Sequence, residues 1–477
     1  MQKSIKKNYI YNLINTISSL LFPILTFPYA SRIMMAEGIG LVNFYQSIIQ
    51  YISLIASLGI PLYAVREIGK VRNNIELCSK TALEILVLHL ILTLTGYLLV
   101  IILSLTTPQI QANIPLFLIL SLTLVFTAIG CEWFYQGIED FKYITIRGLI
   151  IKSAAIIYLF IFVKSADDIL LYGIYCVVGV LGGNIYNFIR LKKYISRKSL
   201  KGITPLKHLK PALKIFFLNL IISLYINLNS VMLGFIKGTE DVGYFTAATR
   251  LSQMILGISG ALSTVMLPRL SNLIANNLKL EFNQLAQKGT RFIIALTLPL
   301  SIGCYFIAPY IIPIFCGDSY HDAIITLQII SPIIFFIGLS NIIGIQILYP
   351  QQQESKVILC TGIGAITNII LNIILIPEFG HKGAAISTLC AEAIVTISMA
   401  LIGKYFIPIN WNDKTFFHYY LSSFIMIISL ATVEKYIYAT NISKMFLIIF
   451  IGCITYFAIL FIVKDSLLKE LKHFIKK

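Results

Sequence analysis

Charge is what this sequence has least of. Asp, Glu, Lys and Arg make up 12% of its 477 residues, against roughly 25% in an ordinary soluble domain. With 57% hydrophobic residues and a mean hydropathy of +0.84, no aqueous core could absorb the apolar surface. Other absences narrow the chemistry. The eight cysteines are scattered with no C-x-x-C spacing, which argues against a metal site or a disulfide frame. The six histidines form no H-E-x-x-H set, and no G-x-x-x-x-G-K-[ST] phosphate loop is present. The sequence thus shows no ATPase, and energy for work would come from a gradient or from the substrate. No small-residue cleavage site follows the first apolar run, which reads as a retained helix, not a signal peptide.

What is present is a series of apolar runs, each near the ~20 residues that span a bilayer. Fourteen fall near 9–31, 41–64, 81–105, 114–136, 144–163, 169–189, 212–236, 243–267, 290–316, 322–349, 357–376, 383–403, 416–433 and 443–463. The expected fold class is an all-α polytopic membrane protein with about fourteen transmembrane helices. Lys and Arg concentrate on the cytoplasmic side of such spans. With both termini inside, 30 of the 38 basic residues fall in cytoplasmic segments, six in outer loops, and two, Lys152 and Arg250, within spans. The net charge of +17 is therefore mostly topology. The loop 190–214 holds nine basic residues and no acid. It reads as a topology determinant, with a further attraction to anionic lipid headgroups of ~1 kcal/mol per basic residue. Nucleic acid is not expected as a partner, since no soluble domain could hold it.

The chain repeats itself. Gly40, Gln50 and Arg66 match Gly243, Gln253 and Arg269 at an offset of 203, and Asn15 and Ser19 match Asn219 and Ser223 at 204. Tyr135, Asp140 and Lys142 match Tyr349, Glu354 and Lys356 at 214. A doubled six-helix unit follows: one lobe over 1–200, a second over 201–410, and two further spans with a basic cytoplasmic tail over 411–477. Two such lobes around a central cavity make a transporter arrangement.

Polar residues recur at helical spacing in the first two spans of each repeat. Asn8, Asn12, Asn15 and Ser19 share one face, as do Asn43, Gln46 and Gln50. Asn219, Ser223, Asn227 and Ser230 stripe the seventh span, and Arg250, Gln253 and Gly257 the eighth. Polar groups cost free energy in hydrocarbon, so these faces are expected to turn inward and line a wet cavity, although any one residue could simply bond a neighbouring helix. Three ionisable residues stand out inside spans. Arg250 reads as an anion-binding cation or a snorkelling side chain. Lys152 is open between the same two readings. Glu392 could be a proton or sodium coupling site, or the partner of a buried base. His89 reads as a hydrogen-bonded packing residue. Prolines at 23, 28, 299, 309, 313 and 332 are expected to kink spans one, nine and ten.

Two stretches carry a family resemblance. "FPILTFPYASRIMMAEGIGLVNFYQSI" (22–48) and "EWFYQGIEDFKYITIR" (132–147) resemble the polysaccharide biosynthesis family of O-antigen flippases, the Wzx-type branch of the multidrug/oligosaccharidyl-lipid/polysaccharide exporters. The resemblance implies export of an undecaprenyl-pyrophosphate-linked repeat unit across the bacterial plasma membrane, with membrane lipids, a polysaccharide polymerase and chain-length machinery as neighbours. It also implies a cationic cavity, carried here onto Arg32, Arg250 and Lys152, and leaves H+ or Na+ coupling open with no bound cofactor or metal.

The stretch 130–147 gathers aromatics and charges in one turn. Trp133, Phe134 and Tyr135 suit a membrane interface. Glu139, Asp140, Lys142 and Arg147 are expected to form a salt-bridged latch, and with Glu354 and Lys356 of the second copy an inner gate; a solvated turn is the other reading. A small-molecule antiporter and a peptidoglycan-precursor exporter share the doubled core. A membrane glycosyltransferase or polymerase would need a substantial catalytic loop, and the longest polar segment, 190–214, contains no carboxylate.

Overall fold

The computed structural model describes residues 5–195, 202–437 and 441–465. The end of the basic tail, the basic run at 196–201 and the side chains of Asn8, Asn219 and Ser223 lie outside the described residues. In chain order the helices are α1 Ile5–Ser57, α2 Ile60–Val71, α3 Ile75–Thr106, α4 Pro108–Gln111, α5 Ile114–Gly130, α6 Glu132–Gly137, α7 Phe141–Phe162, α8 Ile169–Leu181 and α9 Gly183–Leu191. Then come α10 Leu209–Ile236, α11 Thr239–Ala275, α12 Lys279–Cys316, α13 Ala323–Ile330, α14 Ile333–Asn341, α15 Glu354–Ile402, α16 Lys414–Tyr436 and α17 Asn441–Ile462.

No strand occurs among the described residues. Nine helical stretches there are long and apolar enough to cross a membrane, or ten if the 42° bent pair formed by Ala166–Gly179 and Gly183–Leu191 is one span. The chain is an all-α, multi-pass membrane protein. Two stretches, Ile10–Val71 with 62 residues and Glu354–Ile402 with 49, are far longer than a bilayer requires. The first breaks at Met35 (φ 55) and again at Leu58 and Gly59 (φ 42 and 74), the second at Gly380 (φ 54), and two expected spans fall on each. In α15 the chain folds back sharply: a side chain on Gly383 would lie 2.4 Å from the Leu375 carbonyl oxygen. The expected proline kinks in spans one and nine are not where the chain breaks. Pro23 and Pro28 lie inside α1, and Pro299, Pro309 and Pro313 inside α12; only Pro332 stands at a helix junction, between α13 and α14. Packed neighbours let a membrane helix pass through proline.

The chain divides into two compact units, Met1–Gly243 and Tyr244–Lys477. That division falls later than the repeat boundary expected at 200/201, because α10 packs on α1 and α2. In the first unit α1 is the central element, touching α3, α5, α7 and α10. Among the hydrogen bonds that join α7 and its C-cap to α1, three are evenly placed: Thr145 to the Tyr11 carbonyl (2.8 Å), Lys152 to Ser18 (2.9 Å), and Tyr29 to the Val163 carbonyl (2.8 Å). All three span 134 residues, so the first arm of α1 and α7 run parallel in register. In the second unit α12 is central, contacting α13, α14, α16 and α17. The two spans beyond the repeat are part of this unit. Tyr456 of α17 donates to the Ala295 carbonyl (2.8 Å), and Arg291 of α12 donates through Nε to Asp413 (2.7 Å). The eight cysteines are thiols that form no disulfide, five of them buried.

Candidate functional site

The charged turn is built from α6 and the start of α7. Asp140 N–H donates to the Tyr135 carbonyl (2.8 Å), closing the loop, while Glu139 adopts φ 59. This geometry splits the acids apart. Glu132 accepts from Arg147 (3.1 Å), Glu139 from Arg72 beyond α2, and Asp140 from Arg190 of α9 (2.8 Å). The four residues expected to latch the helices do not pair with one another: Glu139 and Asp140 bond Arg72 and Arg190, Arg147 bonds Glu132, and Lys142 is exposed. Trp133, Phe134 and Tyr135 also depart from expectation. They are buried with Ile68, Ile85 and Leu191 inside the first unit, so their side chains pack against protein and not against lipid headgroups. The Tyr135 hydroxyl donates to the Asn187 carbonyl (2.6 Å).

The second copy is not equivalent. Tyr349 is 41% exposed where Tyr135 is 0%. Glu354 is exposed, and the Lys356 ammonium lies over the Phe406 ring, 4.4 Å from its centroid. A symmetric pair of Tyr–acid–Lys sets is not what the chain builds.

The polar stripe of α1 meets a cation. Lys152 of α7 donates to Ser18 (2.9 Å) and Ser19 (2.7 Å), whose hydroxyls in turn donate to the Asn15 carbonyl. An ammonium with three donors is thereby half-buried and held within the helix pair. Asn43, by contrast, donates to its own helix at the Ile39 carbonyl (2.8 Å). Gln46 is half-buried, and Gln50 and Arg32 are exposed.

A second polar centre was missed by sequence reasoning. Glu84 of α3 is fully buried, yet accepts from Thr204 N–H (3.0 Å), Lys207 Nζ (2.6 Å) and His208 Nε2 (3.2 Å). His208 Nδ1 lies 2.7 Å from the Tyr63 hydroxyl. Burial pulls the His208 pKa below its ordinary value, against the pull of Glu84. The clasp pins the segment before α10 to α2 and α3. A carboxylate four residues inside an apolar run was its signal, since such a group needs partners.

In the second unit, Arg250 of α11 is half-buried within electrostatic reach of Tyr320, while Gln253 is exposed. Glu392 is buried beside Ala391, against which Gly364 packs; Asn368, one turn beyond Gly364, is buried too. Asn227, on α10 of the first unit, is half-buried. No group of three or more His, Cys, Asp or Glu able to hold a metal occurs among the described residues.

Comparison with known proteins adds to this geometry. Among solved structures, "Lipid II flippase MurJ, inward closed conformation" is similar with a TM-score of 0.74 at 20% identity, covering 96% of this chain and 100% of that one. An inward-facing multidrug resistance MATE transporter of the MOP superfamily follows with a TM-score of 0.58 at 14% identity, over 81% and 98%. At these identities the fold alone is shared. In sequence, the chain is 27% identical over 410 residues to the Escherichia coli (strain K12) protein named "Putative O-antigen transporter", covering 83% of this chain and 96% of the relative. The model of one family, described as polysaccharide biosynthesis protein, matches residues 5–274, more than half of the chain. The chain belongs to the polysaccharide biosynthesis protein family.

Proposed function

We propose that the protein is a flippase that carries a lipid-linked oligosaccharide, with undecaprenyl pyrophosphate as the lipid carrier, from the inner to the outer leaflet of the bacterial plasma membrane. The observation that carries this reading is the likeness to O-antigen transporters along 83% of the chain. The chemistry is consistent with it. A diphosphate sugar crossing ~30 Å of hydrocarbon needs cations for the phosphates and amides or hydroxyls for the sugar. Lys152 with Ser18 and Ser19, together with Arg32, Arg250, Gln46, Gln50, Gln253, Asn15, Asn219 and Asn227, would supply such groups to a cavity that opens alternately to each face. Guanidinium forks suit phosphate oxygens. Glu392, buried in α15, is the residue we assign to H+ or Na+ coupling. The charge bias supports a cytoplasmic side for both termini, and a polymerase and chain-length machinery would take the product outside.

Purified protein in liposomes loaded with a radiolabelled lipid-linked oligosaccharide tests this. Leaflet exchange with unchanged glycan length is expected. Chain lengthening would mean a polymerase, and absence of exchange with an active control flippase alongside would overturn the reading. The shared fold with a lipid II flippase supports a second substrate, a peptidoglycan precursor, and the same vesicles loaded with it discriminate the two.

A further inference from the structure

The contact between α7 and α9 holds more hydrogen-bond donors than the protein uses. Asn187 is fully buried, and both its amide nitrogen and oxygen find no partner in the protein. The same holds for Nε and Nη1 of Arg147, Nη1 of Arg190 and the hydroxyl of Tyr143. Buried polar groups are otherwise almost always paired.

These groups share one seam. Tyr143 and Arg147 are one turn apart on α7, and Gly183, Asn187 and Arg190 follow one face of α9. Arg190 lies over the Tyr143 ring at 3.8 Å. Arg147 lies against Gly183, where a side-chain carbon would stand 2.9 Å from Nε. The helices are therefore antiparallel here, and Asn187 falls between the two guanidinium levels. Glu132 and Asp140 each engage only Nη2 of one arginine, which leaves Nε and Nη1 of Arg147 and Nη1 of Arg190 without a partner in the protein. The seam thus sets two guanidinium groups against two carboxylates, Glu132 and Asp140. Glu132 is 40% exposed and Arg190 30%, so the rim is open.

We propose that the α7–α9 seam binds an oxyanion of the phosphate class, held by Arg147, Asn187, Arg190 and Tyr143. Two guanidinium groups with unused N–H donors fit phosphate oxygens, and an amide and a phenol complete the shell. The phosphate could arrive on a lipid headgroup or free in solution. The site stands independently of the transport reading.

The test uses the full-length protein in nanodiscs. Labelled inorganic pyrophosphate is titrated into phosphatidylcholine discs, and melting is compared between phosphatidylcholine and phosphatidylglycerol discs without pyrophosphate. Asn187→Asp puts a carboxylate between the guanidiniums at nearly constant volume. Arg147→Lys keeps the charge but removes the fork. Saturable pyrophosphate binding, weakened at least tenfold in both variants, supports the site with a free phosphate as ligand. A melting rise in phosphatidylglycerol that both variants lose supports a headgroup. Wild-type protein that responds to neither probe overturns the proposal, as do variants that respond like wild type. Sugar-lipid exchange measured on the same preparations keeps failure of this site distinct from failure of the transport reading.

Discussion

Gly40 and Gly243, matched in sequence by an offset of 203, meet each other in space. A side-chain carbon on Gly40 would lie 1.7 Å from the Thr239 carbonyl oxygen and 2.7 Å from Gly243 N, and one on Gly243 would lie 2.0 Å from the Ala36 carbonyl oxygen. The backbones can approach so closely because neither residue carries a Cβ.

Gly40→Ala and Gly243→Ala should each destabilise the protein by about 1–3 kcal/mol, the usual cost of forcing atoms into a filled contact. Gly362→Ala, where a side-chain carbon would meet nothing within 4 Å, should be neutral or stabilising. Thermal melting in detergent compares the three, and equal melting temperatures would contradict the close approach.

The two acids matched by the repeat should behave differently. Asp140→Ala strips the half-buried Arg190 of its carboxylate and is expected to cost about 1.5–3 kcal/mol. Glu354 is exposed, so Glu354→Ala should stay within about 0.5 kcal/mol of wild type. Melting of the single and double variants measures this. Transport that falls only when both are removed would instead favour a shared gate.

Acid should loosen the docking of α16 on α12. Burial raises the Asp413 pKa, but Thr415 N–H, Arg291 and Gln287 outweigh it and hold the carboxyl at about 2, below its ordinary 3.8. The folded state thus binds fewer protons than the unfolded one between these values. The stabilisation is complete above about pH 4 and is lost as pH falls towards 2. Asp413→Asn should flatten the dependence of melting temperature on pH in that window, and an unchanged slope would count against the pair.

Lys152→Met should lower lipid-linked sugar exchange at least tenfold with little change in melting temperature, whereas Lys152→Arg should retain part of the activity. The Ser18→Ala, Ser19→Ala double variant removes both hydroxyls that accept from the ammonium, and should reduce exchange less than Lys152→Met. Rates in reconstituted vesicles report both, and full activity in Lys152→Met would remove this lysine from the transport path.

Membrane class and helical segments were legible because they depend on local composition. Every apolar run longer than about 17 residues reads as a span whatever surrounds it, and each expected run falls in helix. The resemblance at 22–48 and 132–147 agrees with the family match over 5–274. The pairing of charges was not legible. Asp140 meets Arg190 across 50 residues, Glu84 meets His208 across 124, and nothing in either local stretch names the partner.

By itself the sequence determined that this chain must live in a bilayer, since apolar runs of that length and number have no other stable environment. Only the tertiary structure decided that the aromatic turn is buried, that Lys152 rests on two serines of α1, and that the breaks come at Met35 and Gly380 and not at the prolines of α1 and α12. The physical reason is that a polar group in a low-dielectric interior takes whichever partner the packed helices bring within about 3 Å, and that proximity is set by the whole fold.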